Sequence, residues 1–428
     1  MDRLIIEGGN RLSGKVIAAG AKNAALPLMA ACLLTDENVK ISNIPHLSDI
    51  TTMANLLVHM GVELIVESFK EHEDFHSGRV LNLCAKDVID FKAPYEIVSK
   101  MRASVIVLGG LVARFGKAEI SLPGGCAIGA RPIDYHLHAL EKMGAKIDLE
   151  DGYVKVTTEN GLKGAVINFP TVSVGATENI LIAATLAKGK TVLNNAAQEP
   201  EVCDLAYMLN SMGAKISGIG TATMTIEGVE KLHGTNYSVI ADRIEAGTYL
   251  ACGLITGGDV EVAGIDHKIM ESTLQVFEKM GAEIIRNKNS VRLIAGKILK
   301  PIALKTEPHP GFPTDMQAQI TALMCVAEGN SIMEENIFEN RFMHVPELQR
   351  MGAKMTIEGK KLSIDGIKNF KSAEVMATDL RASVCLILAA LKANGKTILN
   401  RVYHLDRGYE RIEEKLNSLG AVVYRTRT

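Results

Sequence analysis

The chain has no tryptophan, and aromatic residues make up only 4 % of its 428 residues. So few flat rings argue against a surface that stacks nucleic-acid bases. They also remove the usual indole platform for a sugar ring, without excluding a sugar ligand. Neither sign of charge dominates: 47 Lys and Arg face 49 Asp and Glu, for a net charge of -2. No polyanion partner, nucleic acid included, is implied. Long apolar runs are missing too. The richest, 180–187 and 384–391, are far too short to span a bilayer, so no membrane insertion is expected. Met1-Asp-Arg-Leu-Ile-Ile-Glu7 carries no signal-peptide pattern. The 7 cysteines are odd in number, scattered and never in a Cys-x-x-Cys pair. That fits a reducing cytoplasm and disfavours disulfides and structural zinc. His-Glu-x-x-His is absent, and His72 and His76 lie in a charged stretch where solvated side chains are the simpler account. No metal and no cofactor are expected.

What the chain does have is repetition. A Met/Leu-Gly-Ala/Val marker occurs six times, with its glycine at Gly61, Gly144, Gly213, Gly281, Gly352 and Gly420. The spacings are 83, 69, 68, 71 and 68 residues, too long for common solenoids and suited to a small α/β unit. Each marker ends an amphipathic segment, such as Pro132–Met143 or Tyr409–Leu419, so its glycine reads as a helix C-terminal cap. A strand-like stretch follows each marker. An earlier, nearly all-apolar helix is expected in every repeat, at roughly 24–34, 102–114, 176–187, 243–255, 315–327 and 380–393. A helix apolar all round belongs in an interior. The unit is therefore helix–strand–helix–strand with further strand in its tail. The long first spacing marks an insertion near Ser68–Gly78. At this length two domains of three repeats each are the natural division.

Two features carry chemistry. The first is Leu122-Pro-Gly-Gly-Cys126-Ala-Ile-Gly-Ala-Arg131-Pro132, one thiol among three glycines with an arginine and a helix-opening proline behind it. Glycines permit close backbone approach to a ligand, and helix starts attract anions. A reactive thiol beside an anion and a plain surface turn both fit these residues. The second is charge at helix starts. Lys22, Asn23, Arg102, Asp242, Arg243, Asp315, Asp379 and Arg381 stand at or near starts of the apolar helices. Arg131, Lys268, Arg341 and Arg407 stand at starts of the amphipathic ones, where the third repeat offers Glu199 and Glu201. Asp there caps free N–H groups, but the helix dipole disfavours Arg and Lys. Cations recurring in register point to a shared anionic ligand; a structural ion-pair network is the competing account.

With these blocks the chain resembles the UDP-N-acetylglucosamine enolpyruvyl transferases, or 1-carboxyvinyltransferases, over nearly its whole length. The resemblance rests on Ala19-Gly-Ala-Lys22-Asn23-Ala-Ala-Leu-Pro27, Met101-Arg102-Ala-Ser104, the Cys126 block, Val172-Ser-Val-Gly-Ala-Thr177, Glu199-Pro-Glu201 and Ala241-Asp-Arg-Ile-Glu245. It continues through Phe312-Pro-Thr-Asp315-Met-Gln-Ala-Gln319, Glu339-Asn-Arg341-Phe-Met-His344, Ala377-Thr-Asp-Leu-Arg381 and Asp406-Arg407-Gly-Tyr-Glu410. It implies two inside-out α/β domains of three repeats, one over 22–240 and one over 1–21 plus 241–428, with substrates in the cleft between. It implies transfer of an enolpyruvyl group from phosphoenolpyruvate to the 3-hydroxyl of UDP-N-acetylglucosamine with release of phosphate, committing the sugar to peptidoglycan. The partners are then these two small molecules, in a cytoplasmic monomer or weak homo-oligomer.

The resemblance also implies roles. Asp315 matches the base for the sugar hydroxyl, and Lys22, Arg131 and Arg407 match contacts to phosphoenolpyruvate. Cys126 matches the loop thiol that is tied to proton delivery or product release and is alkylated by epoxide antibiotics of the fosfomycin type. Asn23, Arg102, Arg131, Pro132, Asp134, Tyr135, His136, Ser173, Val174, Gly175, Asp315 and Ile337 match nucleotide-sugar positions. Asp242, Glu199, Arg341, Asp379 and Arg381 look like cleft or closure residues. The chain departs from many relatives at Thr171, where they have Lys, and at Tyr135, where some have Leu; the Ser68–Gly78 insert is longer than their connection. The rivals are the shikimate-pathway enolpyruvyl transferase, which does not need the cysteine block, and a non-catalytic nucleotide-sugar sensor. Retention of Lys22, Cys126, Asp315 and Arg407 favours catalysis over the sensor. A protein-binding repeat scaffold fits poorly with charges grouped at buried-helix starts.

Overall fold

A computed structural model describes residues 2–67, 78–122 and 133–427. The insert and the cysteine loop, with Cys126, Arg131 and Pro132, lie outside the described residues.

Each repeat carries one nearly all-buried helix: Lys22–Ala31, Val107–Phe115, Val174–Ala184, Arg243–Ile255, Gln317–Cys325 and Leu380–Lys392. A turn of tighter helix extends the first (Cys32–Leu34) and opens the second (Arg102–Ile106) and fifth (Thr314–Met316). The amphipathic helices are Ser48–His59, Asp134–Lys142, Pro200–Ser211, Glu271–Lys279, Val345–Arg350 and Ile412–Ser418. All six marker glycines follow these helices with φ between 92° and 101°. In each, the residue after the glycine donates its N–H back to a carbonyl in the last turn, as Val62 does to Leu57 at 3.0 Å. Only glycine takes that backbone region without strain, so one residue type marks every helix end.

Two expected starts need correction. The amphipathic helices of the fifth and sixth repeats begin at Val345 and Ile412, later than their spacing to the marker suggests. Arg341 therefore stands in the loop before its helix, and Arg407 ends a separate turn, Val402–Arg407. Pro346 sits at the start of the shortened fifth helix, which fits proline's place in a first turn. In the second repeat the helix opens at Asp134, two residues after Pro132.

Among the described residues, six four-stranded sheets accompany the six repeats. Each has one parallel pair and a run of antiparallel strands, and strands from elsewhere in the chain complete three of them. Thr235–Ser238, from the end of the third repeat, pairs parallel with Val39–Ile44 of the first. Ser13–Ile17 pairs parallel with Asp259–Ala263 of the fourth repeat, Val16 facing Val262. Asp2–Glu7 lies between Lys396–Asn400 and Val422–Arg427 of the sixth, with Ile5 opposite both Ile398 and Tyr424.

Buried apolar side chains form two clusters. One runs from Ala21 to Val239; the other joins Leu4–Ala18 to Ile244–Val423. Within each, the three apolar helices pack on one another, and the amphipathic helices and sheets surround them. Helices inside and sheets outside make each body an inside-out α/β fold. The chain crosses between bodies twice, side by side: Gly20 bridges Ala241, Ala21 N–H donates to Ile240 O at 2.7 Å, and Asp242 N–H to Ala19 O at 2.7 Å. A Cβ at Gly20 would lie 1.8 Å from the Asn43 carbonyl oxygen, so only glycine fits this crossing.

The first crossing segment is clamped by a buried pair. Glu245 accepts the Ala19 N–H at 2.6 Å and the Lys415 ammonium at 2.8 Å, and Lys415 also donates to Ile17 O at 3.1 Å. An unpaired buried charge would cost several kcal/mol, roughly the scale of the whole fold's margin, so the extra hydrogen bonds are what make this pair tolerable.

Candidate active site

Several of the described charged residues flagged at helix starts, Lys22, Arg243, Glu199, Glu201 and Arg407 among them, gather where the two bodies meet. Lys22 opens the first apolar helix, is buried, and donates to Asp49 Oδ2 at 3.0 Å. Arg407, from the other body, reaches the same carboxylate, Nε to Oδ1 at 2.9 Å and Nη2 to Oδ2 at 3.4 Å. Asp49 is thus held between two cations that come from opposite cores. Burial pushes its carboxyl up, but Lys22 and Arg407 outweigh burial and hold it below the ordinary range. Burial lowers the Lys22 ammonium, with Arg381 and Arg407 adding to the shift and Asp49 opposing it.

A second carboxylate has a matching arrangement. Asp315 sits on the turn before the fifth apolar helix. Arg341 Nη2 donates to its Oδ1 at 2.6 Å, and Arg381 Nη2 to its Oδ2 at 2.7 Å. Burial raises the Asp315 carboxyl, yet Arg381 and Arg341, helped by Lys22, hold it well below the carboxylate range. The field of Lys22 on Asp315, and of Arg381 on Lys22, makes the two clusters near neighbours.

Asp242 and Asp379 have the simpler role of helix caps. Asp242 Oδ1 accepts the N–H groups of Ile244 and Glu245, and Asp379 Oδ1 those of Arg381 and Ala382. Arg243, next to its cap, crosses the seam to Glu201 with bonds of 3.0 and 3.2 Å. Glu199 accepts the His309 N–H at 3.3 Å, a further link from body to body. Glu178 lies buried close by, its carboxyl pushed well up by burial and by Glu201 and Glu199.

A third group belongs to the first body alone. Ser173 caps the third apolar helix, which begins Val174-Gly175. His136 meets Asn179 at 3.1 Å, and burial lowers its pKa to about 4, with Arg102 adding to the shift. It is therefore a neutral ring that can accept or donate a hydrogen bond near neutral pH. The Tyr135 hydroxyl meets Thr171 Oγ1 at 3.1 Å. Asp134 and Asn23 are exposed, and Ile337 is half-buried, its N–H donating to Glu335. A cavity of about 280 Å³ opens between Asp134, Tyr135, His138, Ile167, Phe169 and Pro170.

Lys268 is exposed and stands apart from the clusters. Asp49 was not singled out from the sequence. As the second residue of its helix it looks like an ordinary dipole partner, and only its two cross-body cations set it apart. Among the described residues no group of three or more His, Cys, Asp and Glu side chains is arranged to hold a metal, and six cysteines are free thiols.

Residues 6–416 match the family model of EPSP synthase (3-phosphoshikimate 1-carboxyvinyltransferase). The chain is 55 % identical over 426 residues to a UDP-N-acetylglucosamine 1-carboxyvinyltransferase from Paramagnetospirillum magneticum, covering 99 % of this chain and 98 % of that one. It is 51 % identical to a protein of the same name from Brucella ovis, covering 99 % of each. Among solved structures it is similar to the enolpyruvyl transferase NikO from Streptomyces tendae, with a TM-score of 0.85 at 25 % identity and 99 % of each chain covered. The fold is shared with EPSP synthase from Acinetobacter baumannii, TM-score 0.75 at 18 % identity over 100 % of both chains. Six repeats in two inside-out bodies, cations converging at their seam and full-length identity above one half lead to one assignment: the chain belongs to the UDP-N-acetylglucosamine 1-carboxyvinyltransferases, within the EPSP synthase family of enolpyruvyl transferases.

Proposed function

We propose that this protein transfers the enolpyruvyl group of phosphoenolpyruvate to the 3-hydroxyl of UDP-N-acetylglucosamine and releases phosphate. One observation carries the reading: two carboxylate-centred cation pairs, around Asp49 and Asp315, adjoin at the seam of two bodies in a chain half identical to enzymes of that name.

The chemistry assigns the parts. Phosphoenolpyruvate brings a phosphate and a carboxylate, and Lys22, Arg131 and Arg407 receive them. Protonation of its methylene carbon leaves a cationic centre at the neighbouring carbon. The sugar hydroxyl attacks that centre and gives up its proton. The tetrahedral adduct then loses a methyl proton and phosphate, restoring the double bond. Asp315 takes the hydroxyl proton. A carboxylate held by two arginines is a weak base, so the incoming sugar must first draw Arg341 or Arg381 aside. Cys126 serves proton delivery or product release. Arg102, Asp134, Tyr135, His136, Ser173, Val174, Gly175 and Ile337, with Asn23 and Pro132, hold the nucleotide sugar, whose phosphates suit a helix N-terminus.

The bodies 22–240 and 1–21 plus 241–428 act as two jaws about the paired crossings at Gly20 and Ala241, and closure brings Arg407 to Lys22. The enzyme works in the cytoplasm on small molecules, as a monomer or weak homo-oligomer, at the step that commits the sugar to peptidoglycan.

Phosphate release from phosphoenolpyruvate is the test. Release that needs UDP-N-acetylglucosamine supports the reading, release only with shikimate 3-phosphate contradicts it, and binding without release makes the protein a sensor. Cys126→Ser abolishes labelling by an epoxide; labelling that persists at another cysteine reassigns the reactive thiol.

A further inference from the structure

Behind Asp315 lies a buried chain of polar groups that the reaction does not use directly. Arg381 donates from Nη2 to Asp315 and from Nη1 to the Tyr409 hydroxyl oxygen at 3.3 Å. The Tyr409 hydroxyl meets Thr248 Oγ1 at 3.0 Å, and Gln319 Nε2 donates to Thr248 Oγ1 at 3.1 Å and to the Tyr409 oxygen at 3.4 Å. Tyr409, Thr248 and Gln319 are all 2 % exposed or less.

The ends of this chain set its sense: the Arg381 guanidinium can only donate and the Ile244 carbonyl can only accept. Thr248 has one hydroxyl proton, and it goes to Ile244 O at 2.8 Å. The Tyr409–Thr248 contact must therefore use the phenol proton, with Tyr409 as donor. That leaves the phenol oxygen free to accept, and Arg381 Nη1 donates to it. The guanidinium thus has one N–H pinned on a fixed acceptor in the core and another aimed at Asp315. A buried donor whose acceptor is removed pays its full desolvation cost, so Arg381 has no comfortable alternative to this pose.

We propose that Tyr409 is a positioning residue for the transfer: through a one-way hydrogen-bond chain to Thr248 and Ile244 O it sets the angle at which Arg381 meets Asp315. The proposal rests on the reading of Asp315 as the base. The other charged groups around Asp315 are Arg341, Lys22 and, farther off, Arg243. None of these touches the phenol, so a change at Tyr409 reaches Asp315 through Arg381.

The test is the pH dependence of kcat/KM, read as the ratio between about pH 4 and about pH 8 and compared with the wild type so that titration of the substrate cancels. With Arg381 loosened, the Asp315 carboxyl rises toward its ordinary range and is partly protonated at the lower pH. Tyr409→Phe therefore lowers the ratio by up to about twofold beyond the wild type. Thr248→Val, which removes the acceptor of the phenol proton and leaves the ring in place, shifts it the same way by less. Thr248→Ser keeps the hydroxyl and restores the wild-type ratio. A residue that only fills space would change the melting temperature and leave the ratio alone. If Tyr409→Phe does not fold, the Thr248→Val and Thr248→Ser pair carries the test. A wild-type ratio in folded Tyr409→Phe or in Thr248→Val, with Asp315→Asn inactive, overturns the proposal for Tyr409 alone. Near-normal turnover by Asp315→Asn overturns instead the base assignment beneath it.

Discussion

Asp49 and Asp315 are the same device built two ways. Each is a carboxylate between two cations, and each is held below its ordinary pKa against the effect of burial. The Asp49 side chain is 7 % exposed, and its cations come from opposite bodies. The Asp315 side chain is 27 % exposed, and both its arginines belong to its own body, one of them braced by Tyr409. The first cluster exists only while the bodies are together; the second is preformed. A two-jawed site gains from this split. In the proposed reaction the half around Asp315 is in place before closure and gives up one arginine contact when the sugar binds, while the half around Asp49 is completed only on closure.

The largest effect that separates the halves is at Asp315. Asp315→Asn cuts kcat by at least about a hundredfold, as loss of a general base does, while circular dichroism shows a folded protein. Activity within a few-fold of the wild type removes Asp315 from the chemistry. Asp49→Asn acts less severely. It unlinks Lys22 from Arg407 and raises the KM for phosphoenolpyruvate by about tenfold, the scale of one charge-assisted contact. A fall in that KM would mean that Asp49 competes with the donor for these cations rather than holding them.

The smallest effect concerns stability and lies next to the preformed half. His344 is buried, and burial, with Arg341 adding to it, lowers its pKa to about 4 against the pull of Asp379. Its folded value is depressed from 6.5, so the unfolded chain binds the proton more readily between those values. Stability is therefore whole above pH 6.5 and falls as pH drops toward 4, by up to about 3 kcal/mol from this group. Chemical denaturation of wild type and His344→Gln across that window should show a smaller acid loss in the variant. Parallel curves would mean that the imidazole stays solvated.

The repeat was legible because it is written in one residue type at one φ. Glycine at six helix ends is a steric requirement, and apolar helices such as Leu380–Lys392 announce burial by having no polar face. The strands that complete sheets from afar are harder to read. Nothing local in Ser13–Ile17 names Asp259–Ala263 as its partner, and only the family likeness sent the N-terminal strand to the second body. Among site residues, Lys22 and Arg381 stood out as cations where a helix dipole disfavours them, and each is answered by a carboxylate. Arg341 and Arg407 were noticed by register, though they sit on turns and loops rather than on helix starts. Asp49 was hidden because an acidic residue in a first turn needs no explanation, and Tyr409 because a hydrogen-bond chain is a three-dimensional fact. The Cys126 loop, the first chemical signal in the sequence, lies outside the described residues.

The division of labour is tested most directly by the steady-state kinetics of Arg407→Ala with each substrate varied in turn. The arginine that must travel with closure should matter to the donor. The KM for phosphoenolpyruvate is expected to rise by at least about tenfold while that for UDP-N-acetylglucosamine stays within about twofold. Equal rises in both, or a rise for the sugar alone, would contradict the account.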